Sequence, residues 1–116
     1  MLILVKQAIQ RAEAAAKAAG DEFLNSARFD STGFVCDACG TAFIRTNESH
    51  TAVTRALKKL GIVGNKDGYY YSVNLHFDLG YPFGQSINLE QKAAEAAAKI
   101  LTQELGQEFY VRTLMD

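Results

Sequence analysis

Cysteine is scarce in this chain. There are two, Cys36 and Cys39, and they sit in a single Cys-X-X-Cys step. Two thiols so close together cannot staple a fold, so they are expected as reduced thiols, metal ligands or a redox pair rather than a structural disulfide. An excess of charge is also lacking: twelve Lys and Arg stand against thirteen Asp and Glu, a formal charge of −1. No bulk attraction to nucleic acid or to an acidic membrane follows, and any such binding would need a local basic patch. Long apolar runs are missing too. Met1 to Val5 is apolar but has no basic lead and runs straight into Lys6, Gln7, Gln10 and Arg11. That is neither a signal peptide nor a membrane span, so a cytoplasmic address is expected. Finally, the chain has no Gly-X-Ser-X-Gly elbow, phosphate-binding loop, His-Glu-X-X-His step or dinucleotide fingerprint, which argues against an enzyme.

What is present suits one packed core. The 116 residues, 48% of them hydrophobic, predict a single domain over 1–116, with no low-complexity linker to divide it. Leu2, Val5, Ile9, Ala12 and Ala16 recur at helical spacing and predict a helix to about Ala19, stopped by Gly20. A second strong helix is expected from a cap at Asn88, with Leu89, Ala93, Ala97, Ile100 and Leu101 on one face, up to Gly106. Both helices contain Ala-Glu-Ala-Ala-Ala-Lys, at Ala12–Lys17 and Ala94–Lys99, and both are followed by Gly-X-Glu-Phe. A duplicated helix-then-strand unit would explain this, as would convergence of alanine-rich helices, whose small faces let them lie close to a sheet.

Between those helices, Phe23, Ala27 and Phe29 alternate as on a strand, and Asp30 to Gly33 turns the chain into Phe34-Val35-Cys36. Another strand is expected over Thr41–Thr46. A middle helix, capped by Asn47 or Ser49, carries Val53, Ala56, Leu57 and Leu60 and stops at Gly61. After a turn at Gly64–Gly68, the longest expected strand alternates Tyr69, Tyr71, Val73, Leu75 and Phe77 with Tyr70, Ser72, Asn74, His76 and Asp78. A loop at Gly80–Gly84 and a closing strand at Phe109–Arg112 complete the pattern. The expected class is α+β: a largely antiparallel sheet with helices on one side, in the order α-β-β-β-α-β-α-β.

Phe34-X-Cys36-X-X-Cys39-Gly40-X-Ala42-Phe43 resembles the hairpin half of a Cys2His2 zinc finger. The resemblance implies that Cys36 and Cys39 ligate zinc. The family's two histidines fall here on Ala52 and Ala56, so only His50 and His76 could complete four donors, as a tetrahedral zinc site requires. The alternative is a tight hairpin whose cysteines are simply small buried residues. A thioredoxin-like redox reading fits less well, because the step sits between expected strands rather than at a helix start.

His50 to Val63 with Gly68 to Ser72 resembles the recognition helix and wing of winged-helix repressors, notably the arginine-repressor family. That implies a nucleic-acid-binding regulator using Arg45, Arg55, Lys58, Lys59 and Lys66, although the segment before His50 reads as knuckle and strand rather than as a supporting helix. Gly84-Gln85-Ser86 with Lys92-Ala93-Ala94 is similar to the last helix of double-stranded-RNA-binding domains, without that family's lysine cluster. His76 and Asp78, alternating with Ser72 and Asn74, form the best catalytic constellation available.

The expected function is that of a non-enzymatic binding protein, an accessory or inhibitor protein of a bacterium or phage. Its partner is another protein, met through Tyr70, His76, Tyr81 and Phe83, because exposed aromatics carry most interface energy. A sheet edge could also pair two copies.

Overall fold

Ala8, Ala12, Ala16 and Gly20 lie four apart, and all four are buried. Such a row forms one stripe on a helix, so Gly20 continues a small-residue seam instead of ending it. The first helix, α1, accordingly runs over Leu2–Ser26, past the stop expected at Gly20. Lys17 supports this stretch by pairing with Asp21 one turn on, at 3.3 Å. Phe23 is therefore helical rather than the start of a strand. The computed structural model describes residues 1–26, 40–64, 66–76 and 87–115. The expected strand positions Ala27, Phe29 and Phe34–Cys36 lie outside the described residues.

The remaining elements are β1 (Gly40–Thr46), α2 (Ala52–Lys59), β2 (Tyr71–Val73), α3 (Ile87–Leu105) and β3 (Tyr110–Met115). The chain is thus α+β, with described elements in the order α-β-α-β-α-β. The strands form an antiparallel sheet ordered β2-β1-β3.

Helix α3 is the centre of the packing. It buries Leu89, Ala93, Ala94, Ala97, Ala98 and Leu101, an arc wide enough to meet α1 on one side and β1 and β3 on the other. The alanine phrases thus bring helix against helix: Ala12 and Ala16 of α1 and Ala97 of α3 are all inaccessible to solvent. The two helices run antiparallel. Arg11 holds Glu104 through one Nη1 at 2.8 and 2.9 Å, while Ala19, Glu22 and Phe23 share a shallow depression with Lys92 toward the other end. From the sheet, Ile44, Val73 and Val111 face this layer, in register as Ile44 opposite both Val73 and Val111.

Helix α2 ends as its sequence requires. Gly61 takes φ 76, its N–H donates to the Lys58 carbonyl at 3.0 Å, and the Ile62 N–H reaches the Leu57 carbonyl at 2.9 Å. These are the paired bonds of a Schellman stop. The start differs from expectation: Thr51 caps, accepting the Thr54 N–H at 3.0 Å, rather than Asn47 or Ser49.

The stretch after α2 is a tight hairpin. Asp67 and Tyr70 exchange backbone bonds at 2.9 and 3.3 Å around Gly68-Tyr69, with Gly68 at φ 66. A positive φ at the first turn residue suits a II′ hairpin. Tyr69, expected on the core face with Tyr71, stands instead at the hairpin tip, 86% exposed. Strand β2 is also short. After Val73 the Asn74 N–H donates to the Ile62 carbonyl at 2.9 Å, and the chain leaves β1.

At the end of α3, Gly106 adopts φ 65 and turns the chain toward β3. The phrase Gly-X-Glu-Phe therefore takes two conformations, helical at Gly20–Phe23 and a bend leading into β3 at Gly106–Phe109.

Under this turn lies a polar network. Gln107 is buried, and its Nε2 donates to the hydroxyls of Thr46 at 2.9 Å and Thr54 at 3.0 Å. Its Oε1 accepts from Thr51 at 2.7 Å, and Thr54 donates to the Glu48 carbonyl at 2.6 Å. One amide thereby joins the end of β1, the cap of α2 and the turn into β3.

Candidate functional site

Strand alternation places Thr41, Phe43 and Arg45 of β1 on the sheet face away from α3. Register then adds their neighbours: Ser72 and Tyr110 beside Arg45, Arg112 beside Phe43, and Leu114 beside Thr41. Tyr70, two residues before Ser72, joins the same face. No described helix covers it. Leu114 is 59% exposed, Arg112 is exposed, and Phe43, Arg45, Tyr70 and Tyr110 are half-buried.

The face is built from cation and ring. The Arg45 guanidinium lies 3.9 Å from the centre of the Tyr70 ring and 5.7 Å from that of Phe43. Arg112 stands 5.7 Å from the ring centre of Tyr110. Such contacts contribute about 0.5–2 kcal/mol each, more as water is excluded. The Arg45 Nε is buried with no hydrogen-bond partner among the described residues, so stacking alone holds that end of the group. Both tyrosines are fixed at their hydroxyls: Tyr70 donates to Asp67 at 3.1 Å and Tyr110 to Asn47 at 2.6 Å. The result is a pre-ordered surface of two arginines and three aromatic rings, which loses little side-chain entropy on binding.

The basic residues expected to contact nucleic acid do not gather here. Arg45 is on this face, but Lys58 lies across the sheet plane, 4.6 Å from the ring centre of the buried Tyr71. Tyr70 and Tyr71, adjacent in sequence, thus carry one cation on each side of the sheet. Arg55 is exposed and donates to the His50 carbonyl at 3.0 Å, and Lys59 and Lys66 are exposed.

The expected zinc ligands divide similarly. Cys36 and Cys39 lie outside the described residues. His50 follows the Thr46 end of β1, whereas His76 follows β2 as it runs toward the level of the Gly40 end, so the two are not brought together. Both are exposed. The backbone N–H of His76 donates to the Glu13 carboxylate of α1 at 2.8 Å. Among the described residues no group of three or more His, Cys, Asp and Glu is placed to hold a metal. Of the proposed catalytic constellation, Ser72 is on the helix-free face, Asn74 and His76 are exposed beyond β2, and Asp78 lies outside the described residues, as do Tyr81 and Phe83 of the expected partner surface. No helix of the described residues is long and apolar enough to cross a membrane.

Sequence reading missed Phe43, Tyr110 and Arg112 as members of one surface. Alternation could place Phe43 and Arg45 together, but only the β1–β3 register brings the closing strand beside them.

One further group borders this face. Where β2 leaves β1, a cleft of about 230 Å³ opens between Thr41–Ile44 and Val73–Leu75, with Glu90 of α3 in its lining. The Glu90 carboxylate has no partner among the described residues, and burial pushes its pKa above the usual carboxylate value. A folded-state pKa above the unfolded one means that the native protein binds the proton more tightly. The associated stability is present below pH 4.5 and is lost as pH rises through the folded value. Glu90→Gln, neutral at every pH, is expected to melt at a higher temperature than wild type at pH 7. In a pH series of thermal melts, that advantage should disappear below pH 4.

No family model matches the chain, and neither a curated protein nor a solved structure matches it.

Proposed function

We propose that this chain is a non-enzymatic binding protein that engages another protein through the helix-free face of its sheet, in the manner of an accessory or inhibitor protein. The observation that carries this reading is the ordered arginine–aromatic surface of Phe43, Arg45, Tyr70, Tyr110 and Arg112. Tyr and Arg dominate the residues whose loss most weakens protein interfaces. Nucleic acid is the weaker reading on two grounds. Bases bind such sheets by stacking on free ring faces, and here guanidinium groups already stand over Tyr70 and Tyr110. The basic side chains are also split between two sides of the sheet, in a chain of net charge −1.

Photo-cross-linking in the native host tests the reading. A benzophenone side chain in place of the exposed Leu114, on the proposed face, should give one protein adduct. The same probe in place of Gln103, on the exposed side of α3, should not. The adduct should survive nuclease and be lost on Arg45→Glu. An adduct removed by nuclease would instead support the regulator that binds nucleic acid, and equal adducts from both positions would overturn the assignment of the face.

A further inference from the structure

The cleft beside Phe43 is continuous with the proposed binding face, and its chemistry differs from the rest of that face. Strand β1 is paired with β3 from Gly40 to Arg45, but with β2 only from Ile44 to Thr46. Over Thr41–Phe43 the side of β1 that faces β2 has no strand partner among the described residues, because Asn74 turns its N–H to Ile62 instead. Phe43 and Leu75 line the gap, with Glu90 reaching it from α3.

Three properties define what fits there. The volume, about 230 Å³, is below the roughly 300 Å³ at which small-molecule pockets begin, so the gap suits one inserted side chain rather than a free cofactor. Its walls combine Thr41 and Asn74 with the apolar Phe43, Ile44, Val73 and Leu75, which would accept a methylene stem. Among the described residues its one titratable group is an unpartnered, half-buried carboxylate, and an ionised group in such a place is stabilised by a cation set beside it.

We propose that the partner protein anchors on this face with a Lys or Arg side chain, carried on an extended segment that lies along Thr41–Phe43 and inserted through the gap to pair with Glu90. The main chain of β1 over Thr41–Phe43, unpaired on this side among the described residues, supplies hydrogen bonds to the segment, and the Glu90 cleft selects the residue at one position along it. The inference rests on the face being a protein-binding surface, and it adds the partner's charge and conformation. The same carboxylate rejects an acidic or apolar residue at that position: the first by repulsion, the second by leaving the half-buried charge covered and unpaired.

Random twelve-residue peptides displayed on phage and selected on the wild-type protein provide the test. A basic residue should be enriched at one position. Replacing it with norleucine should weaken binding about tenfold or more, Glu90→Gln should do the same, and the two changes together should cost little more than either alone. Because Glu90→Gln is expected to be the more stable protein at neutral pH, loss of binding there does not reflect unfolding. Peptides that lose affinity on Arg45→Ala yet show no basic preference and bind Glu90→Gln equally well would overturn the cleft assignment and leave the face intact. Peptides indifferent to both substitutions, or no selectable binders, would overturn both.

Discussion

Replacing Gln107 with Ala is expected to destabilise the fold by about 2–4 kcal/mol, measured by urea denaturation. Gln107 is buried, and its amide makes three side-chain bonds, to Thr46, Thr51 and Thr54. Each bond is worth about 1 kcal/mol net, but removing the shared partner also strands the buried Thr46 hydroxyl, and that asymmetry raises the total. Thr46 and Thr54 are inaccessible to solvent, so water cannot readily take the place of the amide. A double substitution separates the terms. Thr46→Val removes the hydroxyl that Gln107 would otherwise abandon, so Thr46→Val with Gln107→Ala should cost less than the sum of the two single changes. Strict additivity would mean that the two side chains do not share an interaction.

Ala97→Leu should be similarly damaging, with a loss of about 1–3 kcal/mol or more and a lowered melting temperature. Ala97 is inaccessible to solvent within α3, whose buried arc meets α1 and the sheet on opposite sides. The added methylenes have no solvent to occupy, and small residues on the facing helix, Ala8, Ala12 and Ala16, define how closely the helices approach. As a control, Ala18→Leu on the exposed side of α1 should change stability by less than about 0.5 kcal/mol. If Ala97→Leu were equally mild, the alanine seam would not be closely packed.

These two sites show where sequence reading works and where it fails. Gly61 and Gly106 are legible as helix stops because each ends an apolar stripe, and in the structure each adopts positive φ. Gly20 looked identical locally but was not a stop, since its four-residue spacing from Ala16, Ala12 and Ala8 matters more than its identity. The cap of α2 fell to Thr51 rather than Asn47 or Ser49 because Gln107, 56 residues away, rewards the Thr51 hydroxyl. No local pattern contains that bond. Alternation correctly put Tyr71 and Val73 inward and Tyr70 and Ser72 outward, but it overextended β2 at both ends. Tyr69 went to the hairpin turn, and Asn74 found Ile62 in place of β1.

The candidate site was half legible for the same reason. Tyr70 and Arg45 each stand out in the sequence, one as an exposed aromatic and the other as a basic residue, yet nothing local joins them in one surface. Their contact at 3.9 Å depends on the pairing of Arg45 with Ser72, and the arrival of Tyr110 and Arg112 depends on a strand at the far end of the chain. Strand register is a property of tertiary packing, so a composition-level reading could not join them.

The affinity of the cross-linked partner for three proteins, measured side by side at fixed salt, tests the central claim most directly: wild type, Arg45→Glu and Lys59→Glu. Arg45 sits in the middle of the arginine–aromatic face, while Lys59 is exposed on α2 on the other side of the sheet. Circular dichroism would first establish that both variants are folded, with Tyr110→Ala as a second probe of the same face. The account predicts that Arg45→Glu weakens binding about a hundredfold and Lys59→Glu by less than about threefold. The reverse order, with Lys59→Glu abolishing binding and Arg45→Glu leaving it unchanged, would contradict it.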